Sequence, residues 1–190
     1  GLNYLFTRNG VSIRDKNVVI LGSGATSETA RAVCEKMHAK KITVVGRKKE
    51  NNYSNIDKLT DTQILINTTP VGTYPDCNGQ IVDLKIFPNL QFVADVVYNP
   101  LRSRLVLQAE NLGIACSGGL AMLVCQAVKA EQIAYNINKN FPYKENKSEL
   151  TNGDEIYEIA DKEIVEDIIK KIYGEKQNIA LIGMPSCGKT

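Results

Sequence analysis

The residues best suited to chemistry are Gly22-Ser-Gly-Ala-Thr-Ser27, which follow the apolar run Asn17-Val-Val-Ile-Leu21 and open a helical stretch reaching about Met37. Gly22 permits a tight turn, Gly24 lets the backbone approach a diphosphate, and Ser27, in place of a third glycine, is small enough for close helix–strand packing. The helix that follows presents unpaired N–H groups and a partial positive charge at its start, which suits an anion. A ligand-free βα turn is the plainer reading, so the end of the next strand has to be weighed with it. That end is Gly46-Arg47-Lys48-Lys49, with no acidic residue before Glu50. A carboxylate there would bond the ribose 2′-hydroxyl of NAD, whereas a guanidinium fork accommodates the additional 2′-phosphate of NADP. The expectation is therefore NADP, held by Gly22, Ser23, Gly24, Ala25, Thr26 and Ser27, with Gly46, Arg47 and Lys48 at the adenosine end. Taken singly, Lys48 and Lys49 also read as solvated loop lysines.

A second phosphate pattern closes the chain. The apolar run 177–182 leads into Gly183-Met-Pro-Ser-Cys-Gly-Lys-Thr190, which satisfies G-x-x-x-x-G-K-[ST]. In a whole domain the backbone amides between Gly183 and Gly188 cradle phosphates, Lys189 reaches the terminal ones and Thr190 ligates Mg²⁺. The sequence stops before the helix that would complete that anion site, so no ATP-dependent activity is expected of these residues alone. Opening on Gly1 and stopping inside a motif, the sequence reads as a piece of a longer polypeptide.

Composition narrows the alternatives. At 43% hydrophobic and 23% charged residues with a net charge of +2, the 190 residues match an ordinary globular protein with no strong pull toward nucleic acid or membrane. No apolar run approaches the roughly 18–20 residues that span a bilayer. The five cysteines are odd in number and lack metal-ligand spacing, which predicts reduced packing residues, a cytoplasmic setting and no metal site. The single histidine, His38, sits among lysines near a helix end and has no evident catalytic partner.

To position these groups, the chain alternates apolar runs with helical patterns, as parallel βαβ units do. Leu2, Leu5 and Phe6 fall at helical spacing, with Asn9-Gly10 as the terminator. Strands are predicted at 17–21, 41–45, 63–66, 91–97 and 114–116, and helices at about 25–37, 101–111 and 121–136. The pattern predicts an α/β fold, Rossmann-like and doubly wound, with a mainly parallel sheet between flanking helices. Residues 1–138 form the dinucleotide domain in this reading. Residues 139–176 are a linker containing a helix at 154–173, closed by Gly174, and 177–190 begin a separate P-loop domain.

Three further segments resemble the shikimate dehydrogenase family: Ile66-Asn-Thr-Thr-Pro-Val-Gly72, Asp95-Val-Val-Tyr-Asn-Pro100 and Gly118-Gly-Leu-Ala-Met-Leu-Val-Cys-Gln126. They stand in the family's order behind the glycine-rich turn. The resemblance implies that Asn67, Thr68, Thr69 and Pro70 lie along the nicotinamide side of the cofactor, and that Val96 and Tyr98 face nicotinamide and substrate. It also implies a Gly119 carbonyl near the nicotinamide, Met122 against the ring, and Gln126 on substrate hydroxyls. The implied reaction is hydride transfer between NADPH and 3-dehydroshikimate, with Tyr98 and Gln126 on the substrate side. Gly46-Arg47-Lys48 departs from the family's usual Asn-Arg-Thr or Asn-Arg-Ser. The family's proton-transfer lysine and aspartate belong to a substrate domain with no counterpart in these residues, so no catalytic residue is assigned and the chain alone is expected to bind NADP without turning shikimate over. The closing segment resembles the start of shikimate kinase, which implies a dehydrogenase–kinase fusion. An NAD-preferring quinate/shikimate relative and a non-catalytic dinucleotide module are the rival expectations, and a homodimer through the uncovered cleft wall is a further one.

Overall fold

A computed structural model describes residues 1–47, 50–138 and 162–175. Lys48, the predicted helix before residue 162, the strand predicted from 177, and Gly183, Gly188, Lys189 and Thr190 lie outside the described residues.

Helix α1 (Leu2–Arg8) precedes five strands, β1 (Asn17–Leu21), β2 (Lys41–Val45), β3 (Ile64–Asn67), β4 (Phe92–Asp95) and β5 (Ala115–Ser117). Helix α2 (Ala25–Lys36) joins β1 to β2, α3 (Arg104–Asn111) joins β4 to β5, and α4 (Leu120–Asn138) and α5 (Lys162–Glu175) follow. The strands are all parallel, in the order β2-β1-β3-β4-β5. Chain direction along the sheet therefore reverses between β1 and β3, the topological switch point at which open parallel sheets leave a crevice.

Both faces of the sheet are sealed, which explains the uninterrupted apolar runs. Val18 and Ile20 of β1, Ile64 and Ile66 of β3, and Phe92 and Ala94 of β4 pack with Leu5 and Phe6 of α1 and Ala30 and Cys34 of α2. On the other face Val19, Leu21, Leu65 and Val93 meet Leu105 and Ala109 of α3. Much of that second face is covered by chain with little helix: Tyr53, Ile56, Leu84 and Phe87 come from the β2–β3 and β3–β4 connections, whose described residues hold only short 3-10 turns.

Several predicted boundaries move. Helix α3 starts at Arg104 and not Leu101, because Ser103 is extended and its Oγ accepts from the Val106 amide at 3.2 Å, an N-cap. Strand β4 ends at Asp95, two residues early, because the Val97 amide turns to the Asp95 carboxylate at 3.1 Å and leaves the ladder. Helix α4 continues through Asn138. Gly174 does not close α5, which runs to Glu175; an interior glycine costs a helix only about 1 kcal/mol.

Helix α5 docks on α4 and α1. Val165 and Ile169 are buried against Tyr4, Leu120, Ala121, Val124 and Cys125. At its edge Glu166 accepts from Arg8 Nε (2.7 Å), Arg8 Nη2 (3.0 Å) and the Tyr4 hydroxyl (2.6 Å). The hydrogen bonds from Arg8 and Tyr4 pull the Glu166 pKa from 4.5 to about 2. Folding thus favours the ionised carboxylate, so its contribution is complete above about pH 4.5 and disappears as pH falls toward 2. Glu166→Gln is expected to lower stability by about 1 kcal/mol at pH 7. Urea unfolding should show that deficit narrowing between pH 4.5 and 2; a deficit constant over that range contradicts the assignment.

Candidate functional site

The site is built on the carboxyl ends of β1, β3 and β4. Strand β1 passes into Gly22, whose φ of +113° excludes an ordinary side chain. A Cβ there would also stand 2.5 Å from Thr68 Oγ1. That closeness has a cause: the loop after β3 folds back over β1, and both the Thr68 amide (2.9 Å) and its hydroxyl (2.6 Å) donate to the Leu21 carbonyl. Gly24 is different. Its absent side chain faces open space, and it begins α2 in an extended conformation with no side chain bonding the first helical amides. Ser23, Gly24, Ala25 and Thr26 are all exposed. A 12-residue helix with uncapped amides and an open approach fits the diphosphate of a dinucleotide.

Ser27 is fully buried, and its hydroxyl has no hydrogen-bond partner. It fills the close-packing role expected of it at the cost of an orphaned polar atom.

At the end of β2, Gly46 is buried and Arg47 is exposed. The Gly46 amide donates to the Asn51 carbonyl at 3.1 Å, closing a loop that brings Tyr53 back to the turn. Burial raises the Tyr53 phenol above its ordinary value, while the Arg47 charge and a backbone hydrogen bond from Gly22 oppose the rise. Tyr53 is thus a neighbour of both the glycine turn and Arg47, a role not expected from the sequence. A lone aromatic in a polar loop was its only signal.

The second half of the site hangs from Asp95, which is fully buried. It pairs in register with Asn67 of β3. Its Oδ1 accepts from Asn67 Nδ2 (2.9 Å) and the Val97 amide (3.1 Å), and its Oδ2 from Ser103 Oγ (2.5 Å). Burial raises its pKa, and these three donors resist the rise. Asn67 in turn accepts, through Oδ1, from the Thr69 amide (3.0 Å) and hydroxyl (2.7 Å). Asn67 is itself fully buried, so it shapes the Thr68–Pro70 loop from beneath, where a direct cofactor contact had been expected. Asp95 was visible as a polar residue ending an apolar strand, but nothing in the sequence showed that it faces Asn67.

The remaining expected residues surround this edge. Val96 donates its amide to the Asn67 carbonyl at 3.0 Å, and Gly119 donates to the Val97 carbonyl at 2.9 Å. A side chain on Gly119 would collide with the Val96 carbonyl, so a glycine is required where β4 and α4 meet. Tyr98 and Gln126 are exposed, whereas Met122 is half-buried against the core. Met122 and Gln126 share the face of α4 beside Gly1, where a Cβ on Gly1 would lie 2.8 Å from Met122 Cγ and 2.7 Å from Gln126 Cγ. Among the described residues, no cluster of His, Cys, Asp and Glu is arranged to hold a metal.

No family model matches the chain. It is 32% identical over 171 residues to the shikimate dehydrogenase (NADP(+)) of Clostridium perfringens strain 13, a match covering 83% of this chain and 60% of that protein. Shikimate dehydrogenase 1 of Peptoclostridium difficile shares its fold with a TM-score of 0.73 and 26% identity, over 92% of this chain and 59% of that one. Over most of its own length the chain is similar to shikimate dehydrogenases. A chorismate mutase/shikimate 5-dehydrogenase fusion protein from Clostridium acetobutylicum gives a TM-score of 0.71 at 25% identity, over 92% of this chain and 60% of that one. The chain spans less than two thirds of the length of these shikimate dehydrogenase relatives. Among its described residues no helix is long and apolar enough to cross a membrane.

The orphaned hydroxyl at Ser27 gives a direct test of the packing around the turn. Ser27→Ala removes it and improves helix propensity, so the free chain should gain about 1 kcal/mol in thermal or urea unfolding. Unchanged or reduced stability contradicts the assignment.

Proposed function

We propose that this chain is the dinucleotide-gripping part of an NADP-dependent shikimate dehydrogenase. The observation that carries the reading is the open, uncapped start of α2 at the sheet's switch point, with Arg47 at the end of the neighbouring strand. The backbone amides from Ser23 to Thr26 would hold the diphosphate. Arg47, with Lys48 beside it in the sequence, would answer the 2′-phosphate. NADPH, when bound, supplies the hydride. The loops after β3 and β4 would then flank the nicotinamide, with Tyr98 and Gln126 offering hydrogen bonds to the hydroxyls of 3-dehydroshikimate or shikimate.

The kinase-like motif at Gly183–Thr190 supports a further reading, that the parent protein joins the dehydrogenase to a shikimate kinase. The free thiols of Cys34, Cys77, Cys116 and Cys125 support a reducing, cytoplasmic setting. A homodimer through the exposed cleft residues completes the proposal.

Cofactor preference separates this reading from its rivals. Calorimetric titration should give NADP binding at least tenfold tighter than NAD. Arg47→Ala should weaken NADP by about 10–100-fold and leave NAD nearly unchanged, the loss expected for a charged hydrogen-bond pair. A native preference for NAD points to the quinate/shikimate relative, and absence of binding to both dinucleotides overturns the enzymatic reading.

A further inference from the structure

Asp95 is a carboxyl group with no place in the hydride transfer, yet it is sealed from water at the edge where the site is built. Its surroundings differ from those of an ordinary buried acid. Its hydrogen-bond partners among the described residues are three neutral donors. Those donors come from three separate pieces of chain: the side chain of Asn67 on β3, the amide of Val97 beyond β4, and the hydroxyl of Ser103 at the start of α3. From Asn67 the connections continue to Thr69, in the loop that covers the glycine turn. Through Val97 they continue to Gly119 at the start of α4. The loop after β4 is also joined directly to the loop after β3, where the Tyr74 amide donates to the Asn99 carbonyl at 2.9 Å. One carboxyl thus sets the spacing between the Thr68–Pro70 loop and the Val96–Asn99 loop, while the glycine turn and Arg47 on the other side of β1 make no contact with it.

We propose that Asp95 is a positioning residue for the nicotinamide half of the site, which it serves by fixing these two loops relative to one another without touching the ligand. The proposal rests on the dinucleotide reading above and deepens it. It divides the site into two parts whose supports differ and meet only at the Thr68–Thr69 loop. The adenosine and diphosphate end depends on backbone geometry at Gly22–Thr26 and on Arg47. The nicotinamide end depends on a side-chain network centred on one acid.

That division can be measured with a whole ligand and a half ligand. Asp95→Asn keeps the volume but replaces an acceptor oxygen with a donor facing the Ser103 hydroxyl. NADPH should bind the variant at least tenfold more weakly than it binds the native chain. Adenosine 2′,5′-bisphosphate, which lacks the nicotinamide half, should bind both within about twofold. Equal weakening of both ligands would show a general structural defect, and unchanged NADPH binding would show no role; either result overturns the proposal. Should Asp95→Asn lack a cooperative unfolding transition, Thr69→Val cuts the outer end of the same network and leaves Asp95 paired, and the same split between ligands is expected or the proposal fails. A native chain that binds neither ligand overturns the dinucleotide reading itself, and this inference with it.

Discussion

A carboxyl group closed off from water must find its hydrogen bonds in the protein around it, and Asp95 finds them on β3, just beyond β4 and at the start of α3. This requirement decides where β4 stops, because the Val97 amide serves the carboxylate and not the ladder. It decides where α3 starts, because Ser103 both donates to Asp95 and caps the helix. It also fixes the side chain of Asn67, whose oxygen then shapes the turn at Thr69. Leaving such a group unpaired costs far more than each bond contributes, so the arrangement tolerates little adjustment.

Beside this side-chain network, the glycine turn works by the absence of side chains. Gly22 lets the Thr68 loop close over β1, and Gly24 leaves the start of α2 open. The two devices meet at Thr68, whose amide and hydroxyl both reach the last carbonyl of β1. The switch point is therefore bridged by backbone on one side and braced by a buried acid on the other. Away from the site, the packing of α5 against α1 and α4 supports the helix that carries Met122 and Gln126. The bidentate pair of Arg8 with Glu166 borders that contact.

Much of this was legible in the residues. Strands buried on both faces leave continuous apolar runs, and β1 and β2 matched their predicted limits because a glycine-bearing turn follows each. The glycine-rich turn could be read because its residue types follow from backbone needs that a linear pattern preserves. The ends of β4 and α3 could not, since both are set by the hydrogen bonds of the Asp95 side chain to Val97 and Ser103, which no local residue pattern displays. The register of Asn67 with Asp95 is a property of the assembled sheet, as is the proximity of Tyr53, in the β2–β3 connection, to Gly22. The helix after β5 runs two residues past its predicted end, and α5 continues to Glu175, past the predicted stop at Gly174. Local signals point to the candidate site, but the contacts that hold it together are hidden from them.

The central claim is that backbone amides at the start of α2 receive the diphosphate. Amide-resolved NMR of the isotope-labelled chain, titrated with NADP, reads this residue by residue. The largest shift changes are expected at Ser23, Ala25 and Thr26, with Arg47 following. Changes concentrated elsewhere on the sheet, with these amides unmoved at saturation, would contradict the account.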